Sequence, residues 1–378
     1  MTVCSSAWRR SPALPRGFAF SPADLYLLPA GLVWGEQAAA AVVSGNGWPI
    51  GDTALAFTAA TILWREGGQV WAALAPFADI LAWSEAESED LARHVGRLIH
   101  RVGAKRPAWG TVAMDGPAIM GIVNTTPDSF SDGGDRLAPQ VAIDSALAMV
   151  EMGASIIDVG GESTRPGALP VSEQQEIDRV APVVEALAAQ GVVVSIDTRH
   201  AAVMKVATQA GARIINDVTA LEGEGALAVA ASSGAALCLM HMQGQPQTMQ
   251  AEPVYDCAPL DVYDYLAARV AACEAAGIER ARIAIDPGIG FGKNDDHNAQ
   301  IFAALALYHG LGVPVLLGAS RKSFIGRLSR GEPPKQRLAG SLAAHLAGLD
   351  AGVQIIRVHD VAETAQAVAI WRAMRCAA

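Results

Sequence analysis

From Pro117 onward the chain repeats one rhythm eight times: a short apolar or β-branched run, then a longer segment with helical spacing. The first four runs are AIMGIVN (118–124), SIIDVG (155–160), VVVSID (192–197) and ARIIND (212–217). ALCLMH (236–241), RIAID (282–286), PVLLGAS (314–320) and VQIIRVH (353–359) follow. Runs so continuously apolar suit strands buried on both faces of a parallel sheet. Between them lie VAIDSALAMVEMG, SEQQEIDRVAPVVEALAAQ and LDVYDYLAARVAACEAAG, which read as helices. The second opens on Ser172 with Gln175 three residues later, a capping-box pattern. Eight strand–helix units in roughly 260 residues have the count and size of a (β/α)8 TIM barrel. A doubly wound sheet is the alternative, but it seldom repeats so often without a reversal.

Nearly every run ends on polar residues. Asn124 ends the first, Glu162 to Arg165 follow the second, and Asp197 ends the third. Asn216 and Asp217 end the fourth, His241 the fifth, Asp286 the sixth; Ser320 and Lys322 follow the seventh, and Arg357 and His359 end the eighth. Each could merely cap the next helix. Eight in register instead point to the C-terminal mouth of a barrel, where such enzymes keep their chemistry.

The first 110 residues differ, holding seven of the eight tryptophans. FTAATILWREGGQVWAALA reads as a hairpin around Glu66-Gly67-Gly68, and SEDLARHVGRLIHRVG as an amphipathic helix. The expected division is an N-terminal α+β extension over 1–112 and the barrel over 113–378, with Lys105 to Gly116 as linker. His94 and His100 lie off one helical face, which disfavours a metal pair.

A net charge of −10 argues against a general nucleic-acid partner but not against an anionic small molecule. Five scattered cysteines without metal spacing read as reduced, cytoplasmic thiols. No apolar run is long enough for a membrane span. The first 23 residues hold three arginines and no acid, yet form no clear amphipathic helix, so a flexible start is expected over a transit peptide.

The loop DPGIGFGK (286–293) is glycine-rich and ends in lysine, but it is no phosphate loop. Pro287 and Asn294 break the Walker spacing, and Lys293 stands where a dinucleotide fingerprint needs its third glycine. A strand-end carboxylate suits a flat heterocycle presenting two adjacent N–H groups, and nearby Arg, His and Thr suit a phosphate or pyrophosphate. An asparagine beside that phosphate suits magnesium, which keeps waters and phosphate oxygens as ligands. These residues alone imply a barrel enzyme acting on a phosphorylated polar heterocycle. No activated nucleophile is evident, since Ser320 lacks a His/Asp pair in the pattern.

GIVNTTPDSFSDGG (121–134), DVGGESTRPG (158–167), SIDT (195–198), INDV (215–218) and LMHMQG (239–244) together resemble the dihydropteroate synthase family. DPGIGFGK (286–293), GASRKSF (318–324) and IIRVHD (355–360) complete the set in the family's order, across about two thirds of the chain. The resemblance implies a pterin pocket of Asp197, Asn216, Asp286 and Lys322, with Asp286 pairing with the guanine-like edge. It implies that Thr164, Arg357 and His359 hold pyrophosphate and that Asn124 binds Mg2+. It also implies that Phe130, Arg165, Pro166, Phe291 and Ser320 shape a p-aminobenzoate site open to sulfonamides. The implied reaction condenses 6-hydroxymethyl-7,8-dihydropterin diphosphate with p-aminobenzoate along an SN1-like path, in an enzyme whose relatives dimerise through barrel helices. Lys293 is expected to be a structural or rim lysine. Two rivals remain, a pterin-dependent methyltransferase and a non-catalytic pterin-binding homologue. The former has no need of the Ser-Thr-Arg-Pro loop, Lys322 or the Arg357/His359 pair, and a broken motif would favour the latter.

Overall fold

The computed structural model describes residues 7–17, 21–51, 53–125, 138–162, 171–244, 249–250 and 252–376. In the extension, β1 (Arg9–Arg10), β2 (Leu25–Trp34), β3 (Trp48–Pro49), β4 (Leu55–Glu66) and β5 (Gln69–Pro76) form one sheet. Helices α1 (Gly35–Val43), α2 (Phe77–Glu87) and α3 (Glu89–Gly103) accompany it. The β4–β5 hairpin turns at Gly67 and Gly68, both with positive φ, between the paired residues Glu66 and Gln69. Two consecutive left-handed residues give the turn twist that a tight hairpin needs. Ser88 caps α3, accepting from the Leu91 N–H.

Strand alternation divides this sheet's side chains between two cores. Leu25, Leu27, Ile62 and Trp64 pack with Ile80, Val95 and Ile99 of α2 and α3. Tyr26, Leu28, Leu63, Val70 and Ala72 turn the other way and join the barrel's outer core.

The barrel strands are β6 (Ala118–Asn124), β7 (Ile156–Gly160), β8 (Val194–Asp197), β9 (Ile214–Asp217), β10 (Ala236–Met240), β11 (Ile283–Asp286), β12 (Leu316–Leu317) and β13 (Ile355–Val358). All pair in parallel, in the order β11-β10-β9-β8-β7-β6-β13-β12, and the parallel bridge Ile285↔Val315 brings the two end strands together. This is the TIM barrel expected from the eight runs. Its helices are α4 (Ala138–Glu151), α5 (Glu173–Ala189), α6 (Ala201–Gln209), α7 (Ala226–Ser233), α8 (Ala258–Ala275), α9 (Asp295–Ala303), α10 (Ser323–Leu328), α11 (Leu338–Asp350) and α12 (Val361–Cys376). α5 begins with the expected capping box of Ser172 and Gln175.

Inside the barrel, Met120, Ile156, Ile214, Cys238, Ala284, Leu316 and Ile355 form a floor cluster with Trp109 and Met114. Trp109 is fully buried, and its indole N–H reaches the carbonyls of Leu237 and Arg282, each at 3.2 Å. Trp109 and Val112 pair as an antiparallel bridge, and a Cβ on Gly110 would collide with the Ile214 side chain. The stretch expected as a linker therefore contains the barrel's plug. An indole with both its ring and its N–H satisfied indoors has no reason to lie in a solvated connection.

Candidate active site

Side chains alternate along a strand, so the residue two places after each floor residue points the same way, one layer higher. From Ile156, Ile214, Ala284 and Ile355 that step reaches Asp158, Asn216, Asp286 and Arg357. The same parity carries Ser195 to Asp197 and Met120, through Ile122, to Asn124. A ring of polar groups thus crowns the floor.

Arg357 organises the ring. Its Nε donates to Asp158 Oδ2 and its Nη2 to Asp197 Oδ2, both at 2.6 Å. Asn216 Nδ2 donates to the same Asp158 oxygen at 3.0 Å. Asp158 is fully buried, so these donors supply at Oδ2 what water cannot, while Oδ1 has no hydrogen-bond partner. Its carboxylate is the central support that the sequence reading left without a role. The available signal was an acid in the middle of an otherwise apolar strand, on the inward parity. Burial pushes the Asp197 carboxyl up, against the pull of Arg357, and the neighbouring Asp158 pushes it further. Asn124 Oδ1 and Asp197 Oδ2 both flank Gly160, whose missing side chain leaves the space between them.

Asp286 Oδ1 accepts from the Gly288 N–H at 2.7 Å. Burial raises its carboxyl, and Lys322 is the strongest opposing charge. Lys322 is half-buried; its ammonium lies 4.2 Å from the centre of the Phe291 ring and donates to the Ile289 carbonyl. Burial pulls the Lys322 ammonium down to about 8, against the favourable field of Asp286. Ser320 Oγ accepts from the His359 backbone N–H at 3.2 Å and lies 3.0 Å from His359 Nδ1.

The loop from Asp286 to Lys293 explains its glycines. Gly288, Gly290 and Gly292 have φ of +69°, +80° and +62°. A Cβ at Gly288 would collide with the His241 carbonyl, and one at Gly292 with that of Gln243. Lys293 is fully buried rather than at the rim, which corrects that half of the expectation. Its ammonium donates to the carbonyls of Gly288 at 2.9 Å, Phe291 at 3.0 Å and His241 at 3.3 Å, and faces His241 Nδ1 at 2.9 Å. It staples the loop to the end of β10. His241 is consequently a neutral imidazole, pushed down to about 2 by burial and by Lys293.

Asp197, Asn216, Asp286, Lys322, Arg357, His359, Ser320, Phe291 and Asn124 are thus all carried by the strand ends and following loops of one mouth. Phe130, Thr164, Arg165 and Pro166 lie outside the described residues. Two expected mouth residues turn away. Asp217 accepts from the Thr219 N–H and hydroxyl and from the Leu221 N–H, capping its own loop, and His241 is taken by Lys293. Both occupy the outward parity of their strands.

Beside the mouth, Glu162, Glu176 and His200 form a separate group whose ligand atoms lie within 4.8 Å of one another. Burial pushes the Glu176 carboxyl up to about 7.

Residues 120–359 match the family of pterin binding enzymes. The dihydropteroate synthase of Escherichia coli K12 is 49% identical over 255 residues, which are 67% of this chain and 90% of that protein. A Yersinia pestis dihydropteroate synthase crystallised with a sulfonamide drug superposes with a TM-score of 0.67 at 49% identity, covering 70% of this chain and 96% of that one. The Xanthomonas albilineans enzyme in complex with 7,8-dihydropteroate superposes with a TM-score of 0.64 at 44% identity, covering 70% and 95%.

Proposed function

Since this chain belongs to the pterin binding enzymes, as a dihydropteroate synthase, we propose that Asp197, Asn216, Asp286 and Lys322 hold the pterin of its diphosphate substrate. The reaction joins 6-hydroxymethyl-7,8-dihydropterin diphosphate to p-aminobenzoate, giving 7,8-dihydropteroate and pyrophosphate. The observation that carries the residue assignment is the inward ring: two aspartates tied by Arg357, with Asn216 and Asp286 beside them, open to one mouth.

Asp286 accepts two N–H groups from the guanine-like edge of the pterin, and its Gly288 hydrogen bond fixes the carboxylate in advance. Lys322, which lies over Phe291, reaches both the pterin ring and the site of the incoming amine in this reading. Arg357 and His359, with Thr164, take the diphosphate, and Arg357 is already oriented by Asp158 and Asp197. Ser320, Phe291, Phe130, Arg165 and Pro166 shape the p-aminobenzoate site. Asn124 offers one oxygen at a strand end beside Gly160, which fits Mg2+ because that ion fills most of its shell with water and phosphate oxygens. When bound, Mg2+ neutralises charge on the diphosphate.

The path is dissociative. The bond from the pterin's exocyclic methylene carbon to the diphosphate oxygen breaks, the electron pair leaving with pyrophosphate. The carbocation is delocalised over the pterin, in the field of Asp197 and Asp286. The amine of p-aminobenzoate then forms the C–N bond and sheds a proton. Rapid quench of the enzyme with pterin diphosphate and Mg2+ alone tests the order. Pyrophosphate release without amine is expected; cleavage that strictly requires p-aminobenzoate means associative displacement.

The same reading includes a homodimer. An apolar groove between α11 and α12 is lined by Leu338, Leu342, Leu346 and Trp371, with Ile370 and Met374 well exposed beside them. It also includes a cytoplasmic location, supported by the free, buried thiols of Cys238, Cys257 and Cys273.

A further inference from the structure

We propose that Glu162, Glu176 and His200 form a second, transition-metal site, of which Zn2+ is the representative cation, apart from the Mg2+ and pterin site. Glu162 follows the end of β7, Glu176 lies in the first turns of α5, and His200 immediately precedes α6. Three elements that meet nowhere in the sequence therefore deliver one ligand atom each.

The decisive observation is Glu176. Its side chain is fully buried, and neither carboxylate oxygen has a hydrogen bond of good geometry, the Thr198 hydroxyl being the one donor near enough to favour its charge. Acidic residues in the first turn of a helix complement its dipole, which accounts for Glu173 at the surface. It does not account for an acid sealed indoors with only the Thr198 hydroxyl as a weak donor, a costly arrangement unless a cation or its equivalent arrives. The chain even makes room for it, since a Cβ on Gly161 would stand 2.8 Å from Glu176 Cγ.

His200 completes the geometry. Its Nε2, also without a hydrogen-bond partner, lies 3.6 Å from Glu162 Oε2 and 3.9 Å from Glu176 Oε2. Ligand atoms bound at about 2.0–2.2 Å around a tetrahedral zinc lie roughly 3.3–3.5 Å apart, so small side-chain movements close the site. The other ring nitrogen, Nδ1, faces Glu173 Oε1 at 3.5 Å. A carboxylate behind a histidine is the outer partner that fixes the tautomer of a metal ligand. Arg199 holds Glu162 through both oxygens, at 3.0 and 3.1 Å, leaving lone pairs on each for a cation. Three glutamates against one arginine leave negative charge for a divalent ion to neutralise. An imidazole in the set selects Zn2+ or a neighbouring transition metal over Mg2+. A water would complete a four-coordinate shell, and the ion would clip β7, α5 and α6 together.

The test uses the full chain, stripped with chelator and free of pterin diphosphate. Titration with Zn2+, followed by calorimetry and elemental analysis, is expected to give one tightly bound ion per chain. Co2+ in its place is expected to give the visible absorption of a four-coordinate nitrogen–oxygen site. His200→Ala and Glu176→Gln should each weaken Zn2+ at least tenfold, with circular dichroism showing that the variants fold. Asn124→Ala should leave the Zn2+ affinity unchanged. Absence of stoichiometric Zn2+ and Co2+ binding by the folded wild-type chain overturns the proposal. Affinity that survives both ligand substitutions, or that falls with Asn124→Ala, does so as well.

Discussion

Lys322, the proposed pterin contact, carries its charge at a cost to the folded protein. Burial pulls its ammonium from an ordinary 10.5 down to about 8. Between those values the unfolded chain holds a proton that the folded one has released, so stability rises with pH through that window. On the proposed assignment activity should run the other way, because the Lys322 charge is lost as pH climbs past about 8. Lys322→Met is therefore expected to lower kcat/KM about tenfold to a hundredfold at neutral pH, one charged hydrogen bond contributing roughly 1.5–3 kcal/mol. The same variant should lack this contribution to the rise of stability between pH 8 and 10.5, which urea titrations across that range would record. Asp158 is the converse case, a carboxylate beneath the site. Asp158→Ala leaves Arg357 and Asn216 short of an acceptor, and unfolding should become easier by about 2 kcal/mol alongside a loss of turnover. Unchanged urea stability would mean that the Asp158–Arg357 pair is not formed in solution.

Among the elements, the strands were legible because their apolar runs are long and evenly spaced. The site was legible only in part, and parity explains the division. Polar strand ends look alike in the sequence, although alternate positions face opposite ways. Asp197, Asn216, Asp286 and Arg357 share the inward parity and converge; Asp217 and His241 have the outward parity and serve their own loops. Asp158 escaped because it sits inside its strand rather than at its end. The Trp109 plug escaped because nothing local distinguishes a tryptophan in a linker from one under a barrel. The 286–293 loop gave its glycines but not its staple, since the partner of Lys293 lies 52 residues away. Two glycine substitutions separate the effects at work there. Gly67→Ala and Gly288→Ala both place an alanine at positive φ, but open space surrounds Gly67 and the His241 carbonyl blocks Gly288. The first should cost about 1–2 kcal/mol of stability and leave activity intact. Gly288→Ala should cost more and also disable the pterin site. Equal effects on urea midpoint and turnover would show that the close approach to His241 does not matter.

At the scale of the molecule, the extension and the barrel share one core through Tyr26, Leu28, Leu63, Val70 and Ala72. Polar ties reinforce the contact: Tyr26 Oη donates to Asp264 at 2.9 Å, and Arg65 pairs with Asp261 at 2.8 Å. Trp34 stands edge-on to Trp371, their rings 5.0 Å apart. None of the proposed site residues lies in the extension. A chain beginning at Lys105, which keeps the Trp109 plug, should retain most of its kcat while melting earlier and aggregating more readily through the uncovered apolar face. A truncated chain that is folded by circular dichroism yet inactive would give the extension a part in the site. The central claim, that this mouth condenses a pterin diphosphate with an arylamine, is tested most directly by product formation. The full chain with Mg2+, 6-hydroxymethyl-7,8-dihydropterin diphosphate and p-aminobenzoate should release 7,8-dihydropteroate and pyrophosphate in equal amounts. In the same assay Asp286→Ala should lower kcat/KM for the pterin tens- to hundreds-fold, the effect of removing about 2–3 kcal/mol of buried hydrogen bonding. A folded wild-type chain that makes no dihydropteroate, or an Asp286→Ala variant that makes it just as well, would contradict the account.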